Sequence, residues 1–231
     1  MRVLFLAFAL MAASIGASAA SADSKCKYQR ITELPIWIEN GRPVTVGYLN
    51  GRKVGILIDT GSGPSFVERP ALERLGRTVR KDWQVLVSPE DSFGSDIAVS
   101  LGSEFFRNVD VEFDFPNAAV RLYQAEDCEQ AALSYWTGGE PANELPIERS
   151  LQTRLTLRIN GQPVRAQLDS GAGQSVIDSD IAARLGVTPR SAGVLDGGCS
   201  AGLGRNPIET WIAPVDPVFP PTVAATCGTR S

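Results

Sequence analysis

Histidine is missing altogether from the 231 residues. That excludes Ser-His-Asp and Cys-His nucleophilic sites, which need an imidazole to shuttle the proton. It also excludes zinc hydrolases whose metal sits on histidine. Basic runs are missing too: 22 Lys and Arg face 26 Asp and Glu, for a net charge of −4. A nucleic-acid partner would need a basic face, so none is expected. Acidic stretches such as Glu126-Asp127 and Asp178 to Asp180 lack calcium-loop spacing and read as solvated faces. No metal and no cofactor is expected, and any hydrolysis falls to carboxylates. Beyond residue 22 no apolar run is long enough to span a bilayer.

The one long apolar run is at the start. Met1-Arg2 precedes an uncharged stretch, Val3 to Ala22, rich in Leu, Phe and Ala and ending in small residues (Ala17-Ser18-Ala19 or Ala20-Ser21-Ala22). A positive charge, an apolar core and a small-residue end describe a secretory signal peptide over 1–22. The small residues of its second half favour cleavage over a retained membrane anchor, and Cys26 stands too far on for lipid attachment. The mature chain is expected to be exported, periplasmic or secreted, with no stable membrane insertion. Four cysteines, Cys26, Cys128, Cys199 and Cys227, then suggest two disulfides. Three pairings are open; Cys26 with Cys128 and Cys199 with Cys227 would clip each half separately.

The chain also repeats itself. Residues 50–76 align with 160–186 without a gap, with ten identities in 27 positions, among them Asn50-Gly51 with Asn160-Gly161, Asp59 with Asp169 and Arg74-Leu75-Gly76 with Arg184-Leu185-Gly186. Such self-similarity marks two copies of one unit. In each, a β-type run (Val44 to Leu49; Leu155 to Ile159) leads to Asn-Gly, the strongest short hairpin signal. A second strand (Val54 to Ile58; Val164 to Leu168) ends on the aspartate. A Gly-rich turn follows, then a short helix (Pro70 to Leu75; Ser179 to Leu185) stopped by glycine. Copy one continues with strand-like segments at Trp83 to Val87, Ile97 to Leu101, Val109 to Phe115 and Val120 to Tyr123. The pattern is all-β. The four tryptophans read as core or cleft lining.

Each Asp turn follows an apolar strand, and glycine beside it permits close backbone approach. Brought face to face, two such carboxylates could not both ionise. They would share a proton, one acting as base on a water and the other as acid on a carbonyl. The hydroxyl beside each aspartate, Thr60 or Ser170, can hydrogen-bond into the neighbouring turn and lock its geometry. A lone Asp-Thr-Gly is a common architectural turn; its duplication at matched positions favours catalysis.

The segments VGYLNGRKVGILIDTGSGPSFV and LRINGQPVRAQLDSGAGQSVID resemble the active-site hairpins of retropepsin-like aspartic proteases, repeated within one chain. Val99 to Phe106 resembles the family's apolar-Gly brace with its short helix, and Val109 to Tyr123 its closing strands. The resemblance implies two retropepsin-like β-barrel lobes in tandem, with short helices: a first lobe over 23–125, a linker over 126–150 and a second, incomplete lobe over 151–231. It implies an aspartic endopeptidase on peptide or protein substrates, with Asp59 and Asp169 catalytic. Thr60, Gly61, Ser62, Ser170 and Gly171 would support the loops, Ser62 by bonding the outer oxygen of Asp59.

Two features depart from the family. A substrate-covering flap is short in copy one, with a tip at Ser88 to Gly94; copy two offers the glycine-rich tip Gly197 to Gly204. Copy two also shows no brace, and beyond Trp211-Ile212 its prolines make poor strand material, so the second lobe reads as truncated or degenerate. Two alternatives share these residues: a catalytically inactive binding or scaffold protein of the cell envelope, and a homodimer that uses Asp59 from each chain.

Overall fold

The computed structural model describes residues 25–76, 85–88, 96–128, 131, 133, 135–137, 145–148, 150, 152–200, 208–215 and 223–227. The expected signal peptide, the first flap tip beyond Ser88 and the Ala201 to Gly204 part of the second tip lie outside them.

The described chain is mostly β-strand with a few short helices. Strands β1 (Lys27–Glu39), β2 (Arg42–Leu49), β3 (Arg52–Ile58), β4 (Phe66–Glu68), β5 (Leu86–Ser88), β6 (Ile97–Leu101), β7 (Asp110–Asp114) and β8 (Ala119–Glu126) form one sheet in the order β5-β4-β6-β3-β2-β1-β8-β7. Helix α1 (Arg69–Leu75) follows β4 and α2 (Ser103–Phe106) follows β6. Strand β3 is central, parallel to β6 and antiparallel to β2. Its alternation sends Ile58 into the main core with Val99, Leu101, Phe106 and Val120, and Leu57 to the opposite face with Val44 and Ile97. A strand covered on both faces reads as a continuous apolar run, as Ile56 to Ile58 does. Each such side chain, fully buried, contributes about 1.5–3 kcal/mol.

The second half holds β9 (Arg154–Ile159) and β10 (Gln162–Gln167) as a two-stranded sheet. A four-stranded sheet follows, with β11 (Val176–Asp178), β12 (Leu195–Ser200), β13 (Ile208–Ala213) and β14 (Val223–Cys227) in the order β11-β14-β13-β12. Helix α3 (Ser179–Arg184) is capped by Asp178, whose Oδ1 accepts from Asp180 and Ile181 amides. The architecture is all-β and compatible with two lobes in tandem.

Three differences from the sequence reading have physical causes. The thirteen-residue β1 was not anticipated; its residues 27–35 pair with β8 and 36–39 with β2, so it is a strand because two neighbours pair with it in turn. Strand β14 forms beyond the prolines, since those lie before it and it pairs with both β13 and β11. Cys26 and Cys128 form a disulfide, but Cys199 is free. The register sets Cys199 and Cys227 opposite Glu209 from its two sides. Two interstrand spacings of about 4.8 Å exceed what a disulfide can bridge. Trp37 and Trp136 are exposed.

The hairpin turns explain the fixed spacing from Asn-Gly to Leu-Gly. Asn50 and Gly51 take φ of 53° and 75°, and Asn160 and Gly161 take 49° and 74°. The Asn50 amide donates to the carbonyls of Leu75 and Gly76, each at 2.8 Å, satisfying the open end of α1. Asn160 donates to Leu185 O at 3.4 Å at the end of α3. Replacing Asn50 with Gly keeps the turn but removes the cap, and is expected to cost about 1 kcal/mol in denaturant unfolding. Asn50→Ala also strains the turn and is expected to cost roughly 1 kcal/mol more.

Candidate active site

The first aspartate is delivered by β3 and clamped by the segment that follows β6. The Asp59 amide donates to Leu101 O at 3.0 Å, Ser103 N to Ser62 O at 2.8 Å and Glu104 N to Gly63 O at 3.1 Å. Ser65 locks the other side of the turn: its Oγ accepts from Gly102 N at 2.9 Å and its amide donates to Glu104 Oε1 at 2.7 Å. A Cβ on Gly102 would lie 2.4 Å from Pro64 O, so only glycine allows this approach. Asp59, Thr60 and Ser65 are all buried as a result.

Across the molecule, the Asp169 turn meets this turn through a reciprocal set of hydrogen bonds. Thr60 Oγ1 donates to Leu168 O at 3.0 Å and accepts from Ser170 N at 3.1 Å. Ser170 Oγ donates to Ile58 O at 2.7 Å and accepts from Thr60 N at 3.0 Å. Each hydroxyl thus ties the carbonyl before the opposite aspartate to the amide after it.

The glycines complete the approach. A Cβ on Gly61 would lie 2.1 Å from Asp169 Cγ, and one on Gly171 would lie 2.4 Å from Asp59 Cγ. The bare backbone of each turn therefore faces the other carboxyl group. Asp59 Oδ1 accepts from Gly61 N at 3.1 Å and Ser62 N at 3.0 Å. Asp169 Oδ1 accepts from Gly171 N at 2.8 Å and Ala172 N at 3.1 Å. Ser62 departs from its expected role: its hydroxyl donates to Pro64 O at 2.7 Å, and only its amide serves Asp59. The hydroxyl on Asp59 Oδ2 comes instead from Ser100, at 3.2 Å. The sequence reading did not single out Ser100. Its one signal is a hydroxyl in a strand otherwise made of Ile, Ala, Val and Leu.

The two turns differ in cover. Leu168 is 50% exposed where Ile58 is fully buried. Asp169 and Ser175 are exposed where Asp59 and Ser65 are buried. In the first half β6 stands between β3 and β4; among the described residues no strand stands between β10 and β11, which belong to separate sheets. The Asp169 turn leans instead on the β1–β2 turn: a Cβ on Gly173 would lie 2.2 Å from Asn40 O, and one on Gly41 2.5 Å from Gly173 O. Gln167 Nε2, at 2.8 Å, and Gln152 Nε2, at 3.4 Å, donate to Gly61 O and add further ties between the turns.

Burial, and after it the charge of Asp169, raises the Asp59 pKa from its ordinary value; the hydrogen bonds from Ser62 N and Ser100 Oγ oppose the rise. Two carboxyl groups in this relation hold one proton between them more readily than they release both. Among the described residues no cluster of ligands could hold a metal ion.

Residues 155–209, which include Asp169, match the profile of a family described as aspartyl protease. A solved retropepsin-like aspartic protease from Rickettsia conorii aligns with 43% of this chain and 93% of its own, at 15% identity and a TM-score of 0.29. No curated protein matches the sequence. The family match covers the Asp169 hairpin and α3, and the Asp59 half lies outside it.

A folded-state pKa raised above the unfolded value makes protonated Asp59 stabilising. That contribution is complete below the unfolded value, near 4, and is lost as pH rises through the folded value. Asp59→Asn mimics the protonated group and keeps an oxygen for the Gly61 and Ser62 amides. Thermal unfolding of this variant at pH 7 is therefore expected at higher temperature than wild type, the gap closing below about pH 4.

Proposed function

We propose that the chain is an aspartic endopeptidase in which Asp59 and Asp169 activate water for attack on a peptide bond. The observation that carries this reading is the reciprocal Thr60–Ser170 hydrogen bonding, which sets the two carboxyl groups face to face within one chain. The charged member takes a proton from water while the oxygen attacks the scissile carbonyl carbon. The protonated member gives its proton to the carbonyl oxygen. Collapse of the tetrahedral species breaks the C–N bond as the amine is protonated. Asp59, whose burial disfavours the charged form, is the natural holder of the shared proton, and the open side of Asp169 leaves room for water. Thr60, Ser170, Gly61 and Gly171 hold the geometry, with the Ser62 amide as a donor.

The signal-type segment 1–22 and the Cys26–Cys128 disulfide fit action outside the cytoplasm, in the periplasm or after secretion, on peptide or protein substrates. We place the lobes at 23–125 and 151–231, joined by 126–150. Because Thr60 and Ser170 satisfy one another in a single chain, pairing of two Asp59 turns in a homodimer is not needed to form the dyad. One observation favours a second reading, a catalytically silent binding protein: the Asp169 turn is exposed, and among the described residues nothing clamps it as β6 and α2 clamp Asp59.

Cleavage of unstructured protein between pH 3 and 7 tests both. Wild type is expected to cleave, and Asp59→Asn and Asp169→Asn are each expected to lose about 10³-fold in kcat/KM. Loss with Asp59→Asn alone would favour the homodimer. No cleavage by folded, disulfide-bonded protein at any pH would favour the binding protein.

A further inference from the structure

We propose that Ser100 is a positioning residue that holds the second carboxylate oxygen of Asp59 and sets the pH at which the aspartate pair gives up its shared proton. For its kinetic consequences the inference rests on the catalytic reading above; for the Ser100–Asp59 contact it does not.

The geometry leaves Asp59 Oδ2 to Ser100. Oδ1 already accepts from the Gly61 and Ser62 amides, and Ser100 Oγ reaches Oδ2 at 3.2 Å. Ser100 is 0% exposed, in a strand flanked by β3 and β4, where its register partners are Leu57 and Phe66. A hydroxyl shut among apolar neighbours keeps its hydrogen bond or bears the full cost of an unmade one. The acceptor here is a carboxylate that is itself taken from water, so the bond favours the charged form of Asp59.

The arrangement is one-sided. Asp169 accepts from its own turn's amides, and among the described residues no strand occupies the place beside β10 that β6 occupies beside β3. Asp169 is the titratable group that acts on Asp59 across the site. Strand β6 carries no titratable side chain, and the carboxylate of Glu104, next along on α2, turns to the Ser65 amide. Neither β3's last residues nor the Thr60-Gly61-Ser62 turn adds a charge. Ser100 thus gives Asp59 a hydroxyl donor that partly offsets the burial setting it apart from Asp169. With the proton of the pair resting on Asp59, a donor to that group lowers the pH at which the proton leaves.

The test is Ser100→Ala, which removes the hydroxyl from a small buried residue. In the pH profile of kcat/KM, the upper limb is expected to move up by about one pH unit, a tenfold rise in proton affinity, while the lower limb and KM stay in place. A uniform fall at every pH, or movement of the lower limb alone, would overturn the inference. Carboxyl-carbon NMR titration of Asp59 in an Asp169→Asn background reads the same contact without activity. There, addition of Ser100→Ala is expected to raise the Asp59 midpoint by about one unit, with Ser100→Cys, a weaker donor, between the two. Equal midpoints for Ser, Cys and Ala overturn the role of Ser100 whether or not the protein cleaves peptides. A raised midpoint in a protein without cleavage would remove the protease reading and leave Ser100 in its role.

Discussion

The exchange of hydroxyl for backbone between Thr60 and Ser170 is the contact on which the two halves depend. Strand β3 ends at Ile58 and β10 is followed by Leu168, and the carbonyls of these two residues point across the molecule. The amides that follow each aspartate point the same way. Left alone these groups would be costly to bury. Each hydroxyl satisfies one of each kind, as donor and as acceptor at once, which no other small side chain does as compactly. The two aspartates sit between the tied carbonyl and the tied amide of their own turns, so their orientation follows from a backbone need. The carboxyl pair is a consequence of that need, and not its cause.

Given that contact, the two halves hold their turns in different ways. The first uses its own later chain: β6 and α2 supply Leu101 O, Gly102 N and the Ser103 and Glu104 amides. The second uses the first, through the backbone contact of Asn40-Gly41 with Gly173 and the glutamine amides on Gly61 O. Support from within buries Asp59, while support from one side leaves Asp169 exposed. The difference in environment between two chemically identical groups then follows from which strand stands beside which turn.

What could be read from the sequence is what is local. The Asn-Gly hairpins, the apolar strands that end at the aspartates and the short helices depend on residues within about thirty positions of one another, and their signals are written in turn chemistry and alternation. The segments missed are those whose state is decided by a distant partner. Strand β1 is thirteen residues long because β8 and β2 receive it in turn. Strands β4 and β11 are three residues each, too short to show alternation, and exist through pairing with β6 and β14. Ser62 and Ser100 show the same rule at the level of single atoms. Adjacency in sequence suggested that Ser62 would reach Asp59, yet its hydroxyl turns back to Pro64 O. Ser100, forty-one residues away, reaches it because β6 lies parallel to β3.

The site also shows why burial and hydrogen bonding have to be considered together. Burial alone would turn Asp59 into a neutral acid with no reason to release its proton near any useful pH. Backbone donors alone, on an exposed loop, would make it a lasting anion unable to donate one. Here the apolar strand lowers the charged form's standing, the turn amides and Ser100 restore part of it, and Asp169 brings a second carboxyl group into the same balance. A proton that can reside on the pair and also leave it requires these opposing influences to be of similar size. With no histidine in the chain, this balance between strand, turn and opposite carboxylate is the means the site has of holding a proton ready to move.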